Sequence, residues 1–142
     1  PACALDLQGR ASPGSGFHIP SGTGRILIVE DDRRGATLLR DYLQATGHQV
    51  EHLSDATHFL ERLYAFQPNL ILLDVQLSDT FTGLDLLAQL RNHPHLSQIP
   101  VVMVTAMAMT GDREAFILAG ADDYLSKPIN IVQLESILMR YL

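Results

Sequence analysis

The sequence predicts an α/β domain, a doubly wound (βα)5 fold whose five-stranded parallel sheet has the order 2-1-3-4-5. Three observations predict it. Short apolar runs recur (Ile26-Leu27-Ile28-Val29, Leu70-Ile71-Leu72-Leu73, Val101-Val102-Met103-Val104), and amphipathic segments of helix length separate them. The run 70–73 is wholly apolar, as a strand covered on both faces must be. Right-handed crossovers then leave few strand orders for five such units, and 2-1-3-4-5 is the natural one.

Each element has its own signal. A first strand spans 25–29, and a helix over 33–46 places Leu38, Leu39, Tyr42 and Leu43 on one face before Gly47 stops it. The second strand is 49–53. Asp55 is expected to cap a helix over 56–66, whose apolar positions are Phe59, Leu60, Leu63 and Phe66. Pro68 separates that helix from a third strand at 70–73, and a polar loop from Val75 to Thr82 leads to a helix over 83–92. A fourth strand at 101–104 follows Pro100. A helix over 111–119 stops at Gly120, a fifth strand covers 123–126, and a last helix runs over 130–142. Residues 1–24, rich in Gly, Pro, Ser and Ala, bury little and read as a flexible linker or tail ahead of a folded domain at 25–142.

Composition narrows the function classes. With 142 residues and 46% hydrophobic content, the chain can bury one sizeable core. No apolar run approaches the roughly 18–20 residues needed to span a bilayer, and no signal peptide opens the chain. A net charge of −6 without a Lys/Arg cluster argues against a nucleic-acid partner. Cys3, the single cysteine, excludes an internal disulfide and fits a reducing compartment, so a cytoplasmic protein without a membrane partner is expected. The chain begins at Pro1 without an initiator Met, which suggests an end cut from something larger.

In a parallel sheet, ligands bind outside the carboxyl ends of the strands. Four strand endings should therefore meet: Glu30-Asp31-Asp32, Asp74, Thr105 and Lys127-Pro128. Glu30 and Asp31 read as ligands of Mg²⁺, which takes a few carboxylates and keeps several waters. The competing reading is a solvated acidic turn capping the next helix. Asp74 at the same crevice favours the cation, because two acidic clusters without one would repel. A carboxylate placed like that of Asp74 can attack phosphorus and carry the group as an acyl phosphate. Thr105, followed by the small Ala106, can hydrogen-bond a phosphoryl oxygen. Lys127 can pair with Asp74 and then with phosphate, and its bond to Pro128 is of the one type that readily adopts cis.

Taken together, Ile-Leu-Ile-Val-Glu-Asp-Asp, Leu-Ile-Leu-Leu-Asp, Val-Val-Met-Val-Thr-Ala, Ala-Gly-Ala-Asp-Asp-Tyr and Lys-Pro resemble the receiver domain of two-component response regulators, a domain also found at the C-terminus of hybrid histidine kinases. The resemblance covers about 25–142 and implies a flavodoxin-like fold. It implies that Asp74 takes phosphate from a phosphohistidine of a sensor histidine kinase or phosphotransfer protein. Mg²⁺ would be held by Glu30, Asp31, Asp74 and the carbonyl of Gln76, while Thr105 and Lys127 bind phosphoryl oxygens. Tyr124 falls on the family's aromatic switch position. As Thr105 moves, that ring should turn inward and reshape the surface of the fourth helix, fifth strand and fifth helix for a downstream protein. By the same resemblance the chain is not an enzyme beyond assisting its own phosphorylation and dephosphorylation. Whether it stands alone or ends a larger protein stays open.

The chain departs from the family after Asp74, where Ser78 stands in place of the usual Pro and the loop is one residue longer. Gln76 and Met107 occupy the positions that set access of hydrolytic water, and Met107 offers water no strong partner, so a long-lived phosphoryl group is expected. A Mg²⁺-dependent phosphohydrolase with an Asp nucleophile is the alternative. Enzymes resembling haloacid dehalogenases, however, carry an Asp where this chain has Gln76, and they need a long cap. A flavin or nucleotide binder would be repelled by Glu30-Asp31-Asp32. A pseudo-receiver acting by contact alone would not need the intact acids, Thr105 and Lys127. His93-Pro94-His95 reads as a solvated loop rather than a metal site.

Overall fold

The computed structural model describes residues 24–55, 57–76, 82–106 and 112–142, the side chains of 112 and 113 excepted. The expected tail, apart from Gly24, lies outside the described residues, as do Ser78 and Met107. The elements alternate as the periodicity predicts: β1 (Arg25–Val29), α1 (Arg33–Ala45), β2 (Gln49–Leu53), α2 (Phe59–Phe66), β3 (Leu70–Asp74), α3 (Gly83–Arg91), β4 (Val101–Thr105), α4 (Asp112–Leu118), β5 (Asp123–Ser126) and α5 (Ile131–Tyr141). The strands form one parallel sheet in the order β2-β1-β3-β4-β5, as expected from right-handed crossovers.

Alternation of side chains across the strands divides the core in two. Leu27, Val29, Ile71, Leu73, Val101 and Met103 face α2, α3 and α4 and pack on Phe59, Leu63, Leu86, Leu90 and Phe116. On the other face Ile26, Ile28, Leu70, Leu72, Val102 and Val104 meet Ala36 and Leu43 of α1 and Leu134, Ile137 and Leu138 of α5. All five residues of β3 are buried, so its only polar side chain, Asp74, is fixed by apolar neighbours on both sides. Truncating one of those leucines to alanine costs about 2–5 kcal/mol.

Helix ends follow the expected chemistry with one exception. Asp32 caps α1, its carboxylate accepting from Arg34 N–H at 3.2 Å, and Gly47 follows the helix at φ 102°. Asn130 caps α5, accepting from Val132 N–H at 2.8 Å. Asp55 is the exception, because it does not cap α2. Its Oδ1 accepts from Thr57 N–H at 2.9 Å, closing a local turn, and the helix starts at Phe59 behind His58, whose side chain makes no capping bond. Phe59 is buried in the core, so packing rather than a cap fixes where α2 begins. Among the described residues, no helix is long and apolar enough to cross a membrane.

Candidate functional site

β1 runs out at Val29, and the next two residues enter the crevice at the carboxyl edge of the sheet. Glu30 N–H donates to Leu53 O at 3.0 Å, and the Glu30 carbonyl lies 2.7 Å from His52 Nε2, so β2 holds both polar atoms of this residue's backbone. Glu30 Oε1 is 2.7 Å from Lys127 Nζ, and the same ammonium donates to Asp74 Oδ2 at 3.2 Å. The other carboxylate oxygen of Asp74 accepts from Gln76 N–H at 3.2 Å. Glu30, Asp31 and Asp74 each bring one oxygen to a group whose atoms all lie within 4.8 Å of one another; Glu30 and Asp74 are buried and Asp31 is exposed. The acidic triplet thus divides: two members enter the crevice, and Asp32 caps the helix.

Charge in this crevice is unbalanced. Burial, followed by the hydrogen bond and charge of Asp74, pushes the Glu30 carboxyl up to about 7, although Lys127 pulls the other way. Burial alone would lower Lys127, but its contacts with Glu30 and Asp74 outweigh it and hold the ammonium above its usual value. Among the described residues, three clustered carboxyl groups thus stand beside one ammonium. Oxygen-only donors, close enough for one ion and short of positive charge, fit a hard divalent cation.

The neighbouring strands complete the rim. Thr105 ends β4 opposite Ser126, is buried, and its carbonyl accepts from Lys127 N–H at 2.8 Å. The Lys127–Pro128 bond is cis. Tyr124 pairs with Met103 across the ladder; half-buried, it sets its ring 6.3 Å from that of Phe116, tilted by 53°. A cavity of about 410 Å³ opens from Glu30, Asp74 and Lys127 along α1 and the start of α5, lined by Leu38, Leu39, Tyr42, Ile129 and Ile131.

Two features of the site escape sequence reasoning. Gly83 begins α3 and donates its N–H to Val75 O at 2.7 Å; a Cβ there would sit 2.1 Å from the Asp74 carbonyl oxygen. Only glycine lets α3 abut the backbone of Asp74 so closely. The signal within reach was Thr82-Gly83-x-Asp85, which forms a capping box directly at this contact. His52 gives no signal at all, since a histidine on a half-polar strand looks ordinary. His93, set aside as a metal ligand, instead meets the ring of Tyr64 edge-on at 6.3 Å.

Five parallel strands carrying an acidic crevice with one lysine define a class in which the carboxyl edge of the sheet does the work. The model of the response regulator receiver domain matches residues 26–139, and the chain belongs to that family. It is 34% identical over 120 residues to the polar-differentiation response regulator DivK of Brucella ovis, covering 84% of this chain and 97% of that protein. The signal receiver domain of a signal transduction histidine kinase from Syntrophus aciditrophicus is 35% identical with a TM-score of 0.74, over 84% of this chain and 89% of that one. The chemotaxis protein CheY4 of Vibrio cholerae superposes with a TM-score of 0.77 over 84% of this chain and 99% of that one; at 24% identity it speaks for the flavodoxin-like fold alone. Domains of this family are two-component signalling modules rather than classical enzymes, interact with histidine kinases or phosphotransfer proteins, and typically bind Mg²⁺.

Proposed function

We propose that this chain is a phosphorelay receiver, in which Asp74 accepts a phosphoryl group from the phosphohistidine of a sensor kinase or phosphotransfer protein. The observation that carries it is the single Lys127 ammonium spanning Glu30 and Asp74, with Asp31 beside them. An oxygen of the Asp74 carboxylate attacks phosphorus, the P–N bond to the donor's imidazole breaks, and the ring leaves with that electron pair and takes up a proton. Lys127 neutralises charge on the transferring group, and the Gln76 N–H orients the carboxylate through its other oxygen. Glu30, Asp31, Asp74 and the Gln76 carbonyl would hold Mg²⁺, which when bound would supply further neutralisation of phosphoryl oxygens.

The donor approaches over the apolar cavity beside α1, where Leu38 is 73% exposed and Ile131 47%. Thr105 donates its hydroxyl to the new phosphoryl group, Tyr124 turns inward, and the α4–β5–α5 surface changes for a downstream protein. A cytoplasmic setting, no nucleic-acid contact and a linker at 1–24 ahead of a receiver at 25–142 belong to the same reading. The test is to incubate the protein with a small acyl phosphate and Mg²⁺ and weigh it intact. One phosphoryl adduct, absent from Asp74→Asn, supports the proposal; no adduct on the wild type leaves a module that acts by contact alone.

A further inference from the structure

We propose that His52 is a positioning residue for the cation site, its Nε2–H holding the Glu30–Asp31 peptide so that both acids face Asp74. The inference rests on the metal reading above. The β1–β2 ladder ends at Val29 opposite Leu53, and Glu30 N–H makes one more ladder-like bond to Leu53 O at 3.0 Å. In a continued parallel ladder the Glu30 carbonyl would take the N–H of Asp55, which lies beyond the end of β2. The His52 ring stands in for that missing donor, with Nε2 2.7 Å from the Glu30 oxygen.

A carbonyl oxygen only accepts, so Nε2 carries the proton, and the bond forms with the imidazole neutral or charged. The carbonyl it holds belongs to the same rigid peptide plane as the Asp31 N–H. Fixing that plane therefore sets where the Asp31 side chain leaves the backbone, one residue after the Glu30 carboxyl. Asp31 most needs such support: it is exposed, whereas Glu30 and Asp74 are already held by burial and by Lys127. Groups that orient metal ligands from behind typically change metal affinity about 10- to 100-fold when removed.

The experiment is calorimetric titration of the full chain with Mg²⁺, for the wild type and for His52→Ala, His52→Gln and His52→Asn. Thermal midpoints without metal are recorded beside each titration. Glutamine places an amide N–H near the reach of Nε2, whereas asparagine stops near that of Nδ1. The expected result is an affinity loss of about tenfold or more in His52→Ala and His52→Asn, with His52→Gln within about threefold of wild type. Equal affinity in wild type and His52→Ala, or equal losses in the Gln and Asn variants, would overturn the proposal while leaving the cation site standing. Wild type that takes up no Mg²⁺ would overturn both. Should His52→Ala fail to fold, the Gln and Asn variants still decide.

Discussion

The two ends of the sheet treat charge in opposite ways. At the amino end Arg91 pairs with Asp122 at 2.9 Å and donates to the carbonyls of Gly120, Ser97 and Ile99, while Arg140 pairs with Asp123 at 2.7 Å. Asp122 also accepts from Val101 N–H at 2.8 Å, and Tyr141 O–H donates to its carbonyl at 2.9 Å. Each of these two arginines has its own carboxylate, and the pairs tie separate segments of chain together. At the carboxyl end Glu30 and Asp74 share one cation, Lys127, and Asp31 adds a third carboxylate beside them, among the described residues. Matched charge holds the molecule together, whereas the unmatched end is where the proposed cation and phosphoryl group would be accommodated.

Substitutions at the two ends should separate stability from chemistry. The largest effect is expected from Asp74→Asn, which abolishes the phosphoryl adduct seen by mass. Because it also removes one of three like charges, it should raise the unfolding free energy of the metal-free protein, measured in urea, by about 1 kcal/mol. Arg91→Ala should do the reverse. Unfolding should become easier by about 3 kcal/mol, since Asp122 and three carbonyls lose their donor, while the folded protein still phosphorylates to the same extent. Gly83→Ala blurs the distinction, because its Cβ meets the Asp74 backbone directly. It should cost about 2 kcal/mol in urea and slow phosphorylation by a small phosphodonor.

The smallest effect is a pH slope. The Glu30 carboxyl rises from 4.5 to about 7 on folding, so the folded state holds its proton more tightly than the unfolded chain. Its contribution to stability is complete below 4.5 and is lost as pH climbs through about 7. Metal-free protein should accordingly lose stability across this window, and Glu30→Gln should flatten the slope in urea titrations. Since Mg²⁺ needs the ionised carboxylate, its affinity should weaken as pH falls through about 7, a trend that Glu30→Gln also removes.

Much of this is legible in the residues alone. The sheet order follows from apolar runs and crossover handedness, and Glu30, Asp31, Asp74 and Lys127 can be named because each ends a strand or stands within two residues of its end, at the edge where topology gathers them. The rest depends on contacts between parts distant in sequence. Gly83 is required by a carbonyl that comes near it only once β3 and α3 are placed, and His52 meets the carbonyl of Glu30, just past the end of a different strand. Asp55 misleads because a carboxylate ahead of a helical pattern suits a cap and a tight turn equally well, and here the turn prevails. The roles given to Thr105, Tyr124 and Gln76 come from family resemblance, because a hydroxyl, a ring and an amide at strand ends carry no chemistry of their own in the sequence.

Arg91 has one more consequence. It reaches from the last turn of α3 to Gly120, just past α4, and to Asp122, just before β5, so the far end of α4 is moored to its neighbour. On the proposed switch, a tug on Thr105 would arrive from the opposite end of the sheet. The helix should therefore pivot about that mooring like a door on its hinge, with the widest sweep at the edge closest to Asp74.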